Sequence, residues 1–298
     1  KNINIKSKIK KFYNRNPKFL IEGKYSDQDI LYYFNEYNLD IIPVVDNKKK
    51  IKLVIDRNYF FKRKLVKVKK LKMPIVIMAG GKGTRLKPIT NVIPKPLVPY
   101  KGIPIIEQIL NDFFTQGFKE FNLTLNFKSK IIETYVKEIK KNNMIINIAK
   151  ELVPRGTASS LKLFKNKIKN DFIVTNCDVL FNLDYENLIQ FHKKNKNIIT
   201  VVGAKKIIKV PYGVCKIQSK NILKKIEEKP DYEFIVSTGL YIVNEKVLNI
   251  IPNDREYNFD RLISDVIKKK LKIGVYEIDD KSWIDVGHWD GFKKNINF

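Results

Sequence analysis

From residue 73 onward, short apolar runs alternate with longer amphipathic ones, and this alternation limits the possible folds more than any other feature of the chain. Strands are predicted near 74–79, 120–126, 144–149, 172–176 and 198–203, and helices near 104–116, 129–141, 157–166 and 184–194. Strand, helix and strand in repeated order give a mainly parallel sheet covered by helices on both faces, so the class is α/β. After residue 212 the spacing tightens. Strands near 213–218, 222–228 and 234–243 follow one another closely and predict an antiparallel subregion, with a helix near 259–269 and a strand near 272–278 after it. Apolar runs such as Ile75-Val76-Ile77-Met78-Ala79 are strand-sized, far short of the ~20 residues of a membrane-spanning helix, so no membrane partner is expected.

Residues 1–70 follow a different pattern and are expected to form a separate small α+β unit ahead of a larger domain at 71–298. Ser26-Asp27-Gln28-Asp29 has the composition of a helix start, a capping residue followed by acids. The helix that follows carries Leu31, Tyr32, Phe34 and Tyr37 as its expected apolar face. Ile41 to Val45 and Ile51 to Ile55 are strands about a turn at Asp46-Asn47-Lys48, a second helix begins at Arg57–Phe61, and a basic linker covers 62–72. The chain opens on Lys1 rather than Met, so its natural start is expected upstream.

The net charge is +27, which would suit a nucleic-acid partner. Only seven of the 58 basic residues are Arg, however, and the Lys are spread along the whole chain. Paired reading of bases and phosphates favours Arg, so nucleic acid is not expected; the Lys surplus reads chiefly as solvated surface, in a field that would still attract nucleotides and sugar phosphates. Two cysteines, Cys177 and Cys215, provide no disulfide framework, which fits reduced thiols in the cytoplasm.

The segment richest in chemistry is Met78-Ala79-Gly80-Gly81-Lys82-Gly83-Thr84-Arg85-Leu86. A strand running into three glycines lets backbone N–H groups approach phosphate oxygens, with Arg85 adding charge. No Gly-Lys-Ser/Thr closes it, so it is not a P-loop, and the glycine spacing does not fit a dinucleotide fingerprint. It continues through Pro88-Ile89-Thr90 to Pro94-Lys95-Pro96-Leu97-Val98-Pro99. Further pieces follow in order: Pro154-Arg155-Gly156-Thr157-Ala158, Val174-Thr175-Asn176-Cys177-Asp178, Pro211-Tyr212-Gly213-Val214, Glu227-Glu228-Lys229-Pro230, Ser237-Thr238-Gly239-Leu240-Tyr241 and Trp283-Ile284-Asp285-Val286-Gly287.

This ordered set resembles the sugar-1-phosphate nucleotidylyltransferases over residues 73–298. The resemblance implies a Rossmann-like nucleotide-diphosphosugar transferase sheet. It also implies a reaction in which a sugar-1-phosphate oxygen attacks the α-phosphorus of an NTP and pyrophosphate leaves. Catalysis then rests on positioning and charge neutralisation, with no protein nucleophile. Arg85, Lys95 and Lys229 are the implied catalytic cations. Ala79, Gly80, Gly81, Gly83, Thr84, Arg85, Glu151, Gly156, Thr157 and Asn176 are the implied nucleotide contacts. Tyr212, Gly213, Glu228, Lys229, Ser237, Thr238 and Gly239 are implied for the sugar phosphate, and Asp178 and Asp285 for Mg²⁺. Cys177 reads as a packed thiol and His288 as a surface or capping residue.

Ile42-Pro43-Val44-Val45-Asp46 and Val54-Ile55-Asp56-Arg57 resemble a single CBS motif. CBS motifs work in pairs, which implies a homo-oligomer formed through this unit. Ile55 and Asn58 stand where that motif carries Thr and the ribose-binding Asp, so adenosine-nucleotide sensing is not expected. The combined architecture resembles bacterial CBS-containing hexose- or glucosamine-1-phosphate guanylyltransferases, enzymes of nucleotide-sugar supply for cell-surface glycans. GTP is therefore the favoured NTP, with dTTP, UTP and CTP as alternatives. A non-catalytic nucleotide-sugar-binding subunit is the rival reading, and the presence of Arg85, Lys95, Asp178 and Asp285 argues against it.

Overall fold

The computed structural model describes residues 14, 16–37, 39–57, 60, 71–153 and 155–287, and the chain divides into two compact units, Lys1–Val68 and Lys69–Phe298. In the first unit, β1 (Leu20–Ile21) runs parallel to β2 (Ile41–Val45), and β2 pairs antiparallel with β3 (Ile51–Asp56). The helix α1 (Asp27–Glu36) begins in a capping box: Ser26 Oγ accepts from Asp29 N, and Asp29 Oδ2 accepts from Ser26 N at 2.7 Å. Asp46 Oδ1 accepts from the backbone N–H of Lys48 and Lys50 and closes the β2–β3 turn.

The apolar face of α1 differs from expectation. Ile30 and Phe34, one turn apart, pack on Ile42, Val44 and Phe60 inside the unit's own core. Phe34 is therefore covered, whereas Tyr32 points away from that core and Tyr37 lies beyond the helix end, both exposed. Ile55 packs against the same core. Most of the predicted second helix and linker, with Asn58, lies outside the described residues.

The second unit is built on β4 (Ile75–Met78), β7 (Glu120–Leu125), β8 (Ile145–Lys150), β9 (Phe172–Asn176), β11 (Ile199–Lys209), β14 (Asp231–Val243) and β15 (Ile273–Asp279). Their order across the sheet is β15-β11-β14-β9-β4-β7-β8. All neighbours are parallel except β14, which runs antiparallel to both β11 and β9. The short strands are β5 (Pro99–Tyr100) with β6 (Ile103–Pro104), β10 (Val179–Phe181) with β16 (Trp283–Asp285), and β12 (Val214–Ile217) with β13 (Leu223–Glu227).

Helices cover both faces, as the uninterrupted apolar strands require. Ile75 and Ile77 face a core shared with α3 (Ile105–Thr115), α4 (Ser129–Glu138) and α5 (Tyr185–Lys194). Val76, pointing the other way, joins a core with Leu161, Phe164 and the inner face of α6 (Phe259–Lys268). A one-turn helix, α2 (Ile89–Val92), lies in the loop after β4. Among the described residues no helix is long and apolar enough to cross a membrane.

Two expectations are corrected. The helix predicted at 157–166 is a 3₁₀ segment, Ser159–Phe164, closed by short bonds such as Leu161 N to Ala158 O at 3.2 Å. The antiparallel subregion is split. β12 and β13 form their own ribbon, while β14 inserts into the main sheet. Beyond the sheet, Lys205–Lys209 of β11 continues to pair with Asp231–Ile235 of β14 as an exposed arm.

Candidate functional site

The parallel strands β4, β7, β8 and β9 deliver their carboxyl ends to one edge, where open α/β sheets place ligands. A cleft of about 320 Å³ opens there. β4 supplies Gly80, Gly81, Gly83, Thr84 and Arg85, β8 leads into Glu151, and β9 ends in Asn176, Cys177 and Asp178. Ala79 is buried, and its N–H bonds to Thr124 O at 3.0 Å, so of the predicted nucleotide contacts it alone does not line the cleft. Gly83 has φ +67°, and a Cβ there would sit 2.8 Å from Lys95 Cβ, so glycine lets the loop close onto that lysine. Thr90 Oγ1 donates to Gly83 O at 2.9 Å and ties α2 to the same loop.

Lys95, between Pro94 and Pro96, reaches down to Asp178, and both side chains are nearly inaccessible. Arg85 Nη2 lies 3.9 Å from the same Asp178 Oδ2, with its own side chain half exposed toward the cleft. Two cations therefore converge on one buried carboxylate. Asp285 reaches the spot through β16, which pairs Val179 with Asp285, and Val286 N donates to Asp178 O at 2.9 Å.

The acids fit a divalent cation. Gly287 lies between them. A Cβ there would overlap Asp178 Oδ2 and come within 3.0 Å of Asp285 Oδ1, so the absence of a side chain keeps the space between the carboxylates open. Gly287 N donates to Asp285 Oδ1 at 2.7 Å and orients it. Among the described residues no cluster of three or more His, Cys, Asp or Glu side chains exists, so these two carboxylates are what the cleft offers a divalent cation. Cys177 is buried beside Asp178, and burial followed by the Asp178 charge pushes its thiol up to about 12, in keeping with a packed side chain. His288 and Pro154 lie outside the described residues.

Glu151 half-faces the cleft. Its Oε2 is 3.0 Å from where a Gly80 Cβ would be, and its backbone carbonyl accepts from Asn126 Nδ2 at 2.7 Å. Burial holds its carboxyl above the usual range. Gly156 and Thr157 also line the cleft, together with Asn258. Sequence reasoning missed Asn258, along with the lining residues Thr124 and Ser160. The only signal at Asn258 is a polar residue just ahead of an amphipathic helix, which reads as an ordinary cap.

The residues predicted for the sugar phosphate do not line this cleft. Gly213 lies against Glu228, 3.1 Å from its Oε2 to a Cβ position, so Tyr212-Gly213 and Glu228 are brought together at the arm. Tyr212 is 74% exposed, and the Glu228 and Lys229 side chains, 4.0 Å apart, are mostly solvated. Lys229 has φ +45°, a conformation non-glycine residues rarely adopt. Thr238 is buried and its hydroxyl donates to Val202 O at 2.9 Å, so it serves the sheet. Ser237 Oγ lies 3.1 Å from Tyr241 Oη. Gly239, at φ +82°, makes room for the Asn176 side chain and so links β14 to the cleft.

The family profile described as Nucleotidyl transferase matches residues 75–298. Mannose-1-phosphate guanyltransferase of Saccharomyces cerevisiae is 30% identical over 221 residues, covering 71% of this chain, and that of Yarrowia lipolytica is 32% identical over 222. The chain spans about 60% of the length of these relatives. The bifunctional protein GlmU of Methanococcus maripaludis is 32% identical over 243 residues, 76% of this chain and 54% of that protein. Among solved structures, HddC from Yersinia pseudotuberculosis, also solved in complex with GMP-PN, superposes with TM-scores of 0.60 and 0.59 at 26% identity. Each superposition covers 75% of this chain and 97% of that one.

Proposed function

The chain belongs to the nucleotidyl transferase family, and from that premise we propose that it joins GTP to a hexose- or glucosamine-1-phosphate, giving a GDP-sugar and pyrophosphate. The observation that carries this reading is the convergence of Arg85 and Lys95 on Asp178 beside Asp285, at the mouth of a glycine-walled cleft. In the reaction a sugar-phosphate oxygen forms a bond to the α-phosphorus while the bond from that phosphorus to the bridging oxygen breaks, and pyrophosphate carries the electron pair away. Both reactants are anions, so the main barrier is charge. Arg85 and Lys95 neutralise the nucleotide phosphates, and the backbone of Gly80, Gly81 and Gly83 admits them closely. Lys229 pairs with the sugar phosphate and Glu228 accepts from sugar hydroxyls. Asp178 and Asp285 would hold Mg²⁺, which, when bound, offsets phosphate charge at the reacting centre.

Guanine is favoured by Glu151. A carboxylate accepts two adjacent donors, and guanine presents N1–H beside its 2-amino group, whereas uracil and thymine present one N–H. Among the described residues its carboxylate has no hydrogen bond or ion pair, so it is available to a base. The guanyltransferases among its relatives and the GMP-PN complex of HddC point the same way. Because the pairing needs the ionised acid and burial raises its pKa, GTP binding should weaken as pH falls, beginning at a higher pH than for a free glutamate.

The N-terminal unit is proposed to be a CBS-like module that supports self-association of a cytoplasmic, bacterial enzyme of glycan precursor supply. Its edge strand β3 leaves Ile51, Leu53 and Val54 exposed. Removing residues 1–70 should weaken self-association by light scattering and leave turnover in place.

Pyrophosphate release with GTP, dTTP, UTP and CTP against a panel of hexose-1-phosphates and Mg²⁺ tests the main reading. GTP should give the highest kcat/KM. Glu151→Gln should cut the GTP-over-UTP preference by about 1–3 kcal/mol, the scale of one bidentate base contact. Equal turnover of all four nucleotides would overturn the guanine assignment, and no turnover of any would overturn the reaction.

A further inference from the structure

The wall formed by Gly156 and Thr157 is attached to a segment a hundred residues downstream. Thr157 N donates to Asn258 Oδ1 at 3.0 Å, and Phe259 N donates back to Thr157 Oγ1 at 3.2 Å. Tyr257 N donates to Arg155 O at 2.7 Å, and Ala158 N and Ser159 N both donate to Tyr257 O at 3.1 Å. With Ser159 Oγ donating to Tyr257 O at 3.5 Å, six hydrogen bonds thus join 155–159 to 257–259. Gly156 has φ +96°, and a Cβ on it would come 2.5 Å from Asn258 Oδ1 and 2.8 Å from Tyr257 O, so only glycine allows the two segments to lie this close.

The exchange also redistributes helix capping. Asn258 occupies the N-cap position of α6, yet its side chain does not cap that helix. Its oxygen goes to Thr157, and the Thr157 hydroxyl accepts the helix's first N–H in its place. The backbone N–H of Thr157 and one acceptor site of its hydroxyl are therefore committed to protein partners, which fixes the orientation of the wall. The anchor itself is rigid, because α6 buries Phe259, Leu262 and Val266.

We propose that Asn258 is a positioning residue for nucleotide binding: it acts through Thr157 to set the Gly156–Thr157 wall of the cleft, without contacting the reacting atoms. This rests on the reading of the cleft as the GTP site. Glu151 and the wall line the same cleft, so a displaced wall should cost affinity for the nucleotide and little else.

The test measures GTP binding to the full chain by calorimetry, without sugar phosphate, together with the melting temperature. Asn258→Ala should weaken GTP binding about tenfold. Asn258→Asp keeps the acceptor oxygen but sets a carboxylate against Glu256, whose Oε1 accepts from Asn258 Nδ2 at 3.3 Å, and should recover part of the loss. In turnover, KM for GTP should rise in Asn258→Ala while kcat and KM for the sugar phosphate stay within about threefold. Thr157→Val removes the return bond from Phe259 N to the Thr157 hydroxyl and leaves the backbone bond to Asn258 in place. It gives a second route if Asn258→Ala does not fold, and the double variant should bind GTP no worse than the weaker single one. Unchanged GTP binding in both single variants, or a loss that Asn258→Asp does not recover, overturns the inference. A wild-type chain that binds no GTP overturns the functional reading instead.

Discussion

The two halves of the proposed site are built to different standards. The nucleotide half is enclosed: Lys95 and Asp178 are nearly inaccessible, Gly83 is pressed against Lys95, and Gly156 against Asn258. The sugar half sits on the arm made by β12, β13 and the ends of β11 and β14, where Tyr212, Glu228 and Lys229 stand in solvent. The contrast follows from the strands. The cleft lies at the edge of a sheet covered by helices on both faces, whereas Lys206–Lys209 and Asp231–Phe234 pair with each other beyond it, with their side chains largely exposed. The nucleotide contacts are therefore preorganised by the core, and the sugar contacts are not.

The sharpest test of that contrast is thiol reactivity, because each half carries one cysteine. Cys177 is buried beside Asp178 with its pKa pushed up to about 12, while Cys215 on β12 is exposed. Since the thiolate is the nucleophile, iodoacetamide at pH 8 should label Cys215 more than ~1,000-fold faster. Mass spectrometry of tryptic peptides checks this, and equal labelling would mean that the nucleotide half opens freely.

The next largest effect falls on the acids. Asp285→Asn should lower kcat by about two to three orders of magnitude, a loss of ~3–4 kcal/mol, the scale of one electrostatic contact in the transition state. Asp178→Asn should do the same and also destabilise the fold, because it leaves Lys95 buried without its carboxylate. Turnover that persists in excess EDTA would contradict a metal held by these acids. Arg85→Lys should cost about 2–3 kcal/mol in kcat/KM, since a point charge does not reproduce a planar fork. On the arm, Lys229→Ala should be milder: KM for the sugar phosphate rises about tenfold and KM for GTP stays put, because a solvated cation contributes less than an enclosed one.

Much of this contrast was legible in the sequence, though unevenly. The apolar runs at 75–78 and 172–176 mark strands because both faces of a covered parallel sheet must be apolar, and the glycines after Met78 mark the loop because the backbone there needs room. The arm was not legible. Lys205, Lys206 and Lys209 lie in β11, but their charge hides a strand that is held by its backbone ladder and by ion pairs such as Lys205 with Glu233 across to β14. The antiparallel insertion of β14 was also hidden, since residue pattern does not encode a strand's neighbours. Asn258 escaped because its partner, Thr157, is distant in sequence. Phe34 shows the limit of the helix period, which marks an apolar face but not that the unit's own β2 covers it.

The measurement that tests the account most directly is calorimetry of each substrate alone and in company. Mg²⁺–GTP should bind the free chain, because its half of the site is already assembled. A hexose-1-phosphate should bind the free chain at least tenfold more weakly than it binds the chain saturated with a non-hydrolysable GTP analogue, since the bound nucleotide supplies the wall the arm lacks. A sugar phosphate that binds equally well with and without the nucleotide, or GTP that binds only after the sugar phosphate, would contradict it.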